Sequence, residues 1–64
     1  MFDYNAVDKK YVIEKLGKGE CVICVDFKTM RCYDCESMTI GGIRAYMEST
    51  DTRFYTKSEV KNES

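Results

Sequence analysis

Between residues 5 and 16, Val7, Tyr11, Val12 and Leu16 recur at roughly helical spacing among polar neighbours, which predicts an amphipathic helix. Asn5 or Asp8 can cap its start, and Gly17 stands where a C-terminal glycine is expected. Lys15 and Lys18 suit the negative pole of the helix dipole. From Glu20 the texture turns to strand. Cys21-Val22-Ile23-Cys24-Val25-Asp26-Phe27 is rich in β-branched residues, and Lys28-Thr29 turns the chain into Arg31-Cys32-Tyr33, a hairpin over about 20–36.

Gly41-Gly42, flanked by Thr39-Ile40 and Ile43-Arg44, reads as a two-residue hairpin loop. After it Ile43, Ala45 and Met47 alternate with Arg44, Tyr46 and Glu48, the period of a half-buried strand. A rival pattern runs through the same residues, because Ile43, Tyr46 and Met47 also form an i, i+3, i+4 stripe. Against a helix stands the glycine pair, each member costing about 1 kcal/mol there. The strand is preferred. Arg53-Phe54-Tyr55-Thr56 then predicts a last strand and a second hairpin over about 38–56, while 57–64, with Val60 as its one large apolar residue, reads as a flexible tail. The expected fold is α+β: an N-terminal helix packed on a small antiparallel β-meander of three to four strands, in one domain spanning 1–56.

Length limits what such a fold can bury. A chain of 64 residues hides only about 60% of the surface its unfolded form exposes, and folds of this size often rely on a staple. With 44% hydrophobic and 33% charged residues, the chain has too much apolar content for disorder. No basic and apolar leader follows Met1, and the longest apolar runs, such as Cys21–Val25, are far too short to span a bilayer. A cytoplasmic setting with reduced thiols is expected.

In that setting paired cysteines more often signify metal than disulfide. Cys21-x-x-Cys24 and Cys32-x-x-Cys35 are separated by the seven residues 25–31. If the hairpin turns about Lys28, Cys24 lies opposite Cys32 and Cys21 opposite Cys35, so that four thiols meet at one end of a ribbon. Zinc takes four such ligands at tetrahedral corners. Over residues 21–35 the arrangement resembles a zinc ribbon in a generic sense, and the resemblance implies a structural metal and no activity. Cys21, Cys24, Cys32 and Cys35 are therefore the candidate zinc ligands. Three features oppose this: the short spacing, the lack of Pro or Gly in either knuckle, and the extended preference of Val22-Ile23. In a straight strand positions 21 and 24 point to opposite faces. The alternatives are thiols packed as small hydrophobes, cross-strand disulfides or redox use, and an iron centre on the same ligands.

Catalysis has little to work with. The chain has no histidine, which removes Cys–His and His-assisted nucleophiles. Ser37 and Ser49 lack an evident base, and Asp26 and Asp34 read as solvated hairpin charges.

Recognition is the better use of the remaining residues. The net charge is −1, from ten basic and eleven acidic side chains, which is no polyanion-binding composition. The lysines at 9, 10, 15 and 18 read as the solvated face of the helix. Five Tyr and three Phe are many for a small core. Some cover the sheet as half-buried tyrosines, and Met30, Met38 and Met47 fill gaps. On the strand reading Arg44 and Tyr46 share a face with Arg53 and Tyr55, and an Arg/Tyr surface suits a protein-binding hot spot. The expected function is a small non-enzymatic regulatory or accessory protein, in the manner of a viral modulator, that binds a larger protein partner. The alternatives are a nucleic-acid-binding zinc-ribbon module and a thiol redox protein. A homodimer through exposed strand edges is a further expectation.

Overall fold

The computed structural model describes residues 1–59. Strand β1 (Phe2–Val7) leads through a 3-10 turn at Lys9–Tyr11 into helix α1 (Val12–Gly17). Strands β2 (Val22–Asp26) and β3 (Arg31–Asp34) form a hairpin. A second 3-10 turn at Cys35–Ser37, helix α2 (Ile40–Glu48) and strand β4 (Thr52–Glu59) follow. All pairings are antiparallel, and the sheet order is β1-β4-β2-β3. The α+β class and the helix-on-sheet arrangement are those the chain predicts.

Register decides which side chains share a face, because residues opposite one another in an antiparallel pair point the same way. Val22 faces Thr56, Cys24 faces Phe54, and Asp26 faces Thr52 across β2 and β4. Val22, Cys24 and Phe54 belong to the buried core together with Val12 of α1, Ile43 of α2 and Cys35. Both helices therefore cover the same side of the sheet. Ile23, Val25, Arg53 and Tyr55 take the alternate positions and point to the other side. Among the described residues no helix lies over that side.

The N-terminal helix exists but starts later than the spacing suggests. Residues 5–7 belong to β1, where Phe2-Asp3-Tyr4-Asn5-Ala6-Val7 pairs with β4 from Phe2 opposite Glu59 to Val7 opposite Phe54. Asp8 caps the helical segment, its carboxylate accepting from the Lys10 N–H at 3.2 Å. Its C-terminus closes on Gly19 rather than Gly17. The Glu20 N–H donates to the Lys15 carbonyl and the Gly19 N–H to the Leu16 carbonyl, the paired bonds of a Schellman ending. Gly19, at φ 81°, supplies the left-handed residue this ending needs. On the helix surface Lys15 and Lys18 pair with Glu20 and Glu14, as expected of a solvated face.

Residues 40–48 are helix, not strand, and Gly41-Gly42 is not a hairpin loop. The rival stripe prevails: Ile43 is buried, and Tyr46 and Met47 pack against the core. The cost of two glycines is met partly at the cap, where the Thr39 hydroxyl accepts from the Gly42 N–H at 3.1 Å. The helix ends in a polar knot. The Thr52 hydroxyl donates to the Tyr46 carbonyl, with the Ser49 carbonyl a second neighbour at 3.3 Å, and the Lys9 ammonium donates to the Ser49 carbonyl. Thr52, although buried, is thereby satisfied.

The last strand is longer than predicted. Lys57–Glu59 pairs with β1 rather than fraying. Residues 60–64, the remainder of the expected tail, lie outside the described residues.

Candidate functional site

The cysteine hairpin turns one position away from where Lys28 would centre it. Asp26 lies opposite Arg31, leaving a four-residue loop from Phe27 to Met30. Asp26 accepts from the Lys28 N–H at 2.9 Å, and Met30 closes the turn at φ 57°. Cys24 consequently faces Tyr33, and Cys32 faces Val25. A one-residue shift moves every side chain of a strand to the other face. Cys32 is therefore exposed on the uncovered side while Cys24 is buried beneath the helices. The expected pairing of Cys24 with Cys32 and Cys21 with Cys35 does not occur.

Cys35 follows β3 and turns inward on the second 3-10 segment, whose start is capped by Asp34 accepting from the Glu36 N–H at 3.0 Å. Cys24 and Cys35 are thus the two buried thiols, and Cys21 and Cys32 the two exposed ones. Burial pushes Cys24 and Cys35 each up to about 11, with nearby carboxylates and thiols adding to the effect. Cys21 donates to Glu36 at 3.5 Å, and that carboxylate raises its thiol above the usual value. Among the described residues no group of three or more His, Cys, Asp or Glu side chains gathers as a metal shell. In this arrangement two of the four thiols lie within the core and two are outside it.

The candidate partner residues also divide. Arg53 and Tyr55 lie on β4 and point to the uncovered side of the sheet. Arg44 and Tyr46 lie on α2, on the opposite side of the molecule. Arg44 is exposed there, and Tyr46 rests against the Tyr33 ring, with centroids 5.5 Å apart. The helix explains the split, since a strand at 43–48 would have set all four residues in one layer.

What joins Arg53 and Tyr55 is a set that the chain's pattern did not single out. Ala6 lies opposite Tyr55 and Tyr4 opposite Lys57, so Phe2, Tyr4 and Ala6 of β1 share the uncovered face. Phe2 and Tyr4 are 49% and 53% exposed. The Lys57 ammonium sits 4.1 Å from the Phe2 ring centroid, a cation–π contact. Phe2, Cys21, Ile23, Asp34, Lys57 and Glu59 line one shallow groove on this face. At its other end Phe27, Asp51, Arg53 and Tyr55 line a second. The signal for β1 was present in the alternation of Phe2, Tyr4 and Ala6 with Asp3 and Asn5, but it breaks at Val7, and helical spacing further along obscured it.

The face is apolar and aromatic in the middle and mixed in charge, with Arg53 and Lys57 balanced by Asp34 and Glu59. Among the described residues no helix is long and apolar enough to cross a membrane. No family model matches the chain, and neither a curated protein nor a solved structure matches it.

Proposed function

We propose that the protein is a small non-enzymatic binding module whose uncovered sheet face engages a larger protein and modulates it by occupying part of its surface. One observation carries this reading. Both helices and the core lie on one side of the sheet, while the other side presents Phe2, Tyr4, Ile23, Val25, Arg53 and Tyr55 without cover among the described residues. Tyrosine and arginine in such a setting are typical anchors of protein interfaces. The balance of charge on the face favours a protein over a polyanion, whose phosphates would call for an excess of cations.

The test compares partners retained by the unaltered chain with those retained by two variants. Combined Arg53→Ala and Tyr55→Ala substitutions are expected to weaken a specific protein partner by about tenfold or more, as loss of anchor residues does. Arg44→Ala, on the helical side, should leave that partner in place. The retained partner should survive raised salt, whereas a nucleic-acid contact would fade steeply. Equal retention by all three chains, or retained material destroyed by nuclease, would sink the reading. Nuclease sensitivity would point instead to bases stacked on the sheet aromatics.

Zinc on Cys21, Cys24, Cys32 and Cys35 is a separate proposal. It requires Val22-Ile23 to leave the strand and the buried pair to meet the exposed pair. Metal analysis with thiol titration of protein prepared without chelator decides it. One zinc per chain, with all four thiols shielded until chelation, supports the site. Two promptly reactive thiols, two released only on unfolding and no metal would support packed thiols instead.

A further inference from the structure

The two edges of the sheet, β1 and β3, are defended very differently. Strand β3 is four residues long and ends in Arg31 and Asp34, and a short, charged edge resists pairing with other chains. Strand β1 has six residues, no lysine, no proline and an unbroken register with β4. Its only charge is Asp3. Among the described residues it is paired on one side alone.

A second observation concerns length. The pairing of β2 with β4 ends at Val22 opposite Thr56, and the Lys57 N–H donating to the Cys21 carbonyl at 2.9 Å is a last contact beyond it. Strand β1 continues past this point beside Lys57, Ser58 and Glu59. Phe2–Tyr4 and Lys57–Glu59 thus form a two-stranded ribbon, in which Phe2, Asp3 and Tyr4 are all exposed. Two strands alone are marginal in water, and a third with an apolar face changes that.

We infer that β1 pairs antiparallel with β1 of a second copy of this chain, closing a two-fold dimer around one continuous eight-stranded sheet. A strand that pairs antiparallel with its own copy is related to it by an axis perpendicular to the sheet. That axis keeps the helices of both copies on one side and sets both uncovered faces on the other. Each ribbon then becomes part of a four-stranded unit, β4-β1 of one copy beside β1-β4 of its partner. Tyr4, near the middle of β1, comes close to the axis, where an aromatic cross-strand pair adds to the backbone bonds. The charge pattern agrees. In a register centred on Tyr4 or on Asn5, Asp3 meets Asn5 or Val7 of the second copy and never its own counterpart.

This dimer does not depend on what the uncovered face binds. It would present two such faces side by side, so a partner with repeated sites would be held by both at once. The contact is essentially one strand pair, so a weak and reversible dimer is expected.

Sedimentation of the full chain over a concentration series, with backbone hydrogen exchange on the same samples, is the test. The expected result is a reversible monomer–dimer equilibrium, with exchange in β1 slowing as the dimer fills. Tyr4→Asp places a carboxylate opposite Lys57 within the monomer but brings two negative charges together near the axis. It should weaken the dimer by about tenfold or more with unchanged circular dichroism. Tyr55→Asp, on the same face but one strand inward, should leave the dimer intact. A chain that stays monomeric throughout, or a dimer without concentration-dependent protection in β1, would overturn the inference. So would a dimer lost in Tyr55→Asp and kept in Tyr4→Asp. Should Tyr4→Asp fail to fold, exchange on the unaltered chain still decides.

Discussion

Cys24 and Cys35 are 0% and 1% exposed, and each holds its proton to about pH 11 against an ordinary thiol value of 9.0. An acid whose pKa is raised by folding is bound more tightly to its proton in the folded form. Its contribution to stability is complete below the unfolded value and is lost as pH rises through the folded one. For these two thiols the window runs from about 9 to about 11. The denaturant midpoint of the protein is therefore expected to fall across that window, and to fall less in a Cys24→Ala, Cys35→Ala double variant. An equal slope in both would show that the thiols are not the cause. Cys21, raised by its hydrogen bond to Glu36 but lying at the surface, acts in the same direction outside the core. The same residues mark what could be read from the chain at this scale. The four thiols were evident as a group, but their division into an inner and an outer pair was not. That division hangs on the Phe27–Met30 loop, where a single extra turn residue exchanges one face for the other.

Among the elements, α2 is the one whose type the pattern left divided. Its apolar positions fit both periods, and the glycine pair tipped the reading toward a loop. The structure resolves the balance in favour of burial, because Ile43, Tyr46 and Met47 reach the core only on a helix, and Thr39 caps it. The two glycines then differ in consequence. A Cβ at Gly41 meets nothing within 4 Å, whereas one at Gly42 comes to 3.3 Å from the Thr39 hydroxyl oxygen that forms the cap. Gly41→Ala is expected to raise stability by roughly 0.5–1 kcal/mol, the helix propensity it restores. Gly42→Ala should gain less or lose, since the cap must shift to admit it. Thermal or denaturant unfolding of the two variants checks this, and equal gains would count against the cap. The β2–β3 hairpin and the strand around Phe54 were legible, since β-branched and aromatic residues crowd there. Strand β1 was not, because its alternation is short and runs into residues with helical spacing.

At the scale of the whole molecule the governing feature is sidedness. The molecule extends 42 Å along its longest axis, and among the described residues its helices shelter one face of the sheet only. No single residue announces this; it follows from the parity of Val22, Cys24 and Phe54 against Ile23, Val25 and Tyr55 once the register is known. The order of the strands carries a further consequence. Strand β4 follows every other described element in the chain, yet it lies between β1 and β2. As the polypeptide leaves the ribosome, β1, both helices and the β2–β3 hairpin emerge before the strand that joins them. Val22 and Cys24 have no Thr56 or Phe54 to face until then. The four-stranded sheet cannot close before β4 is made, so β1 and β2 gain the strand that joins them last.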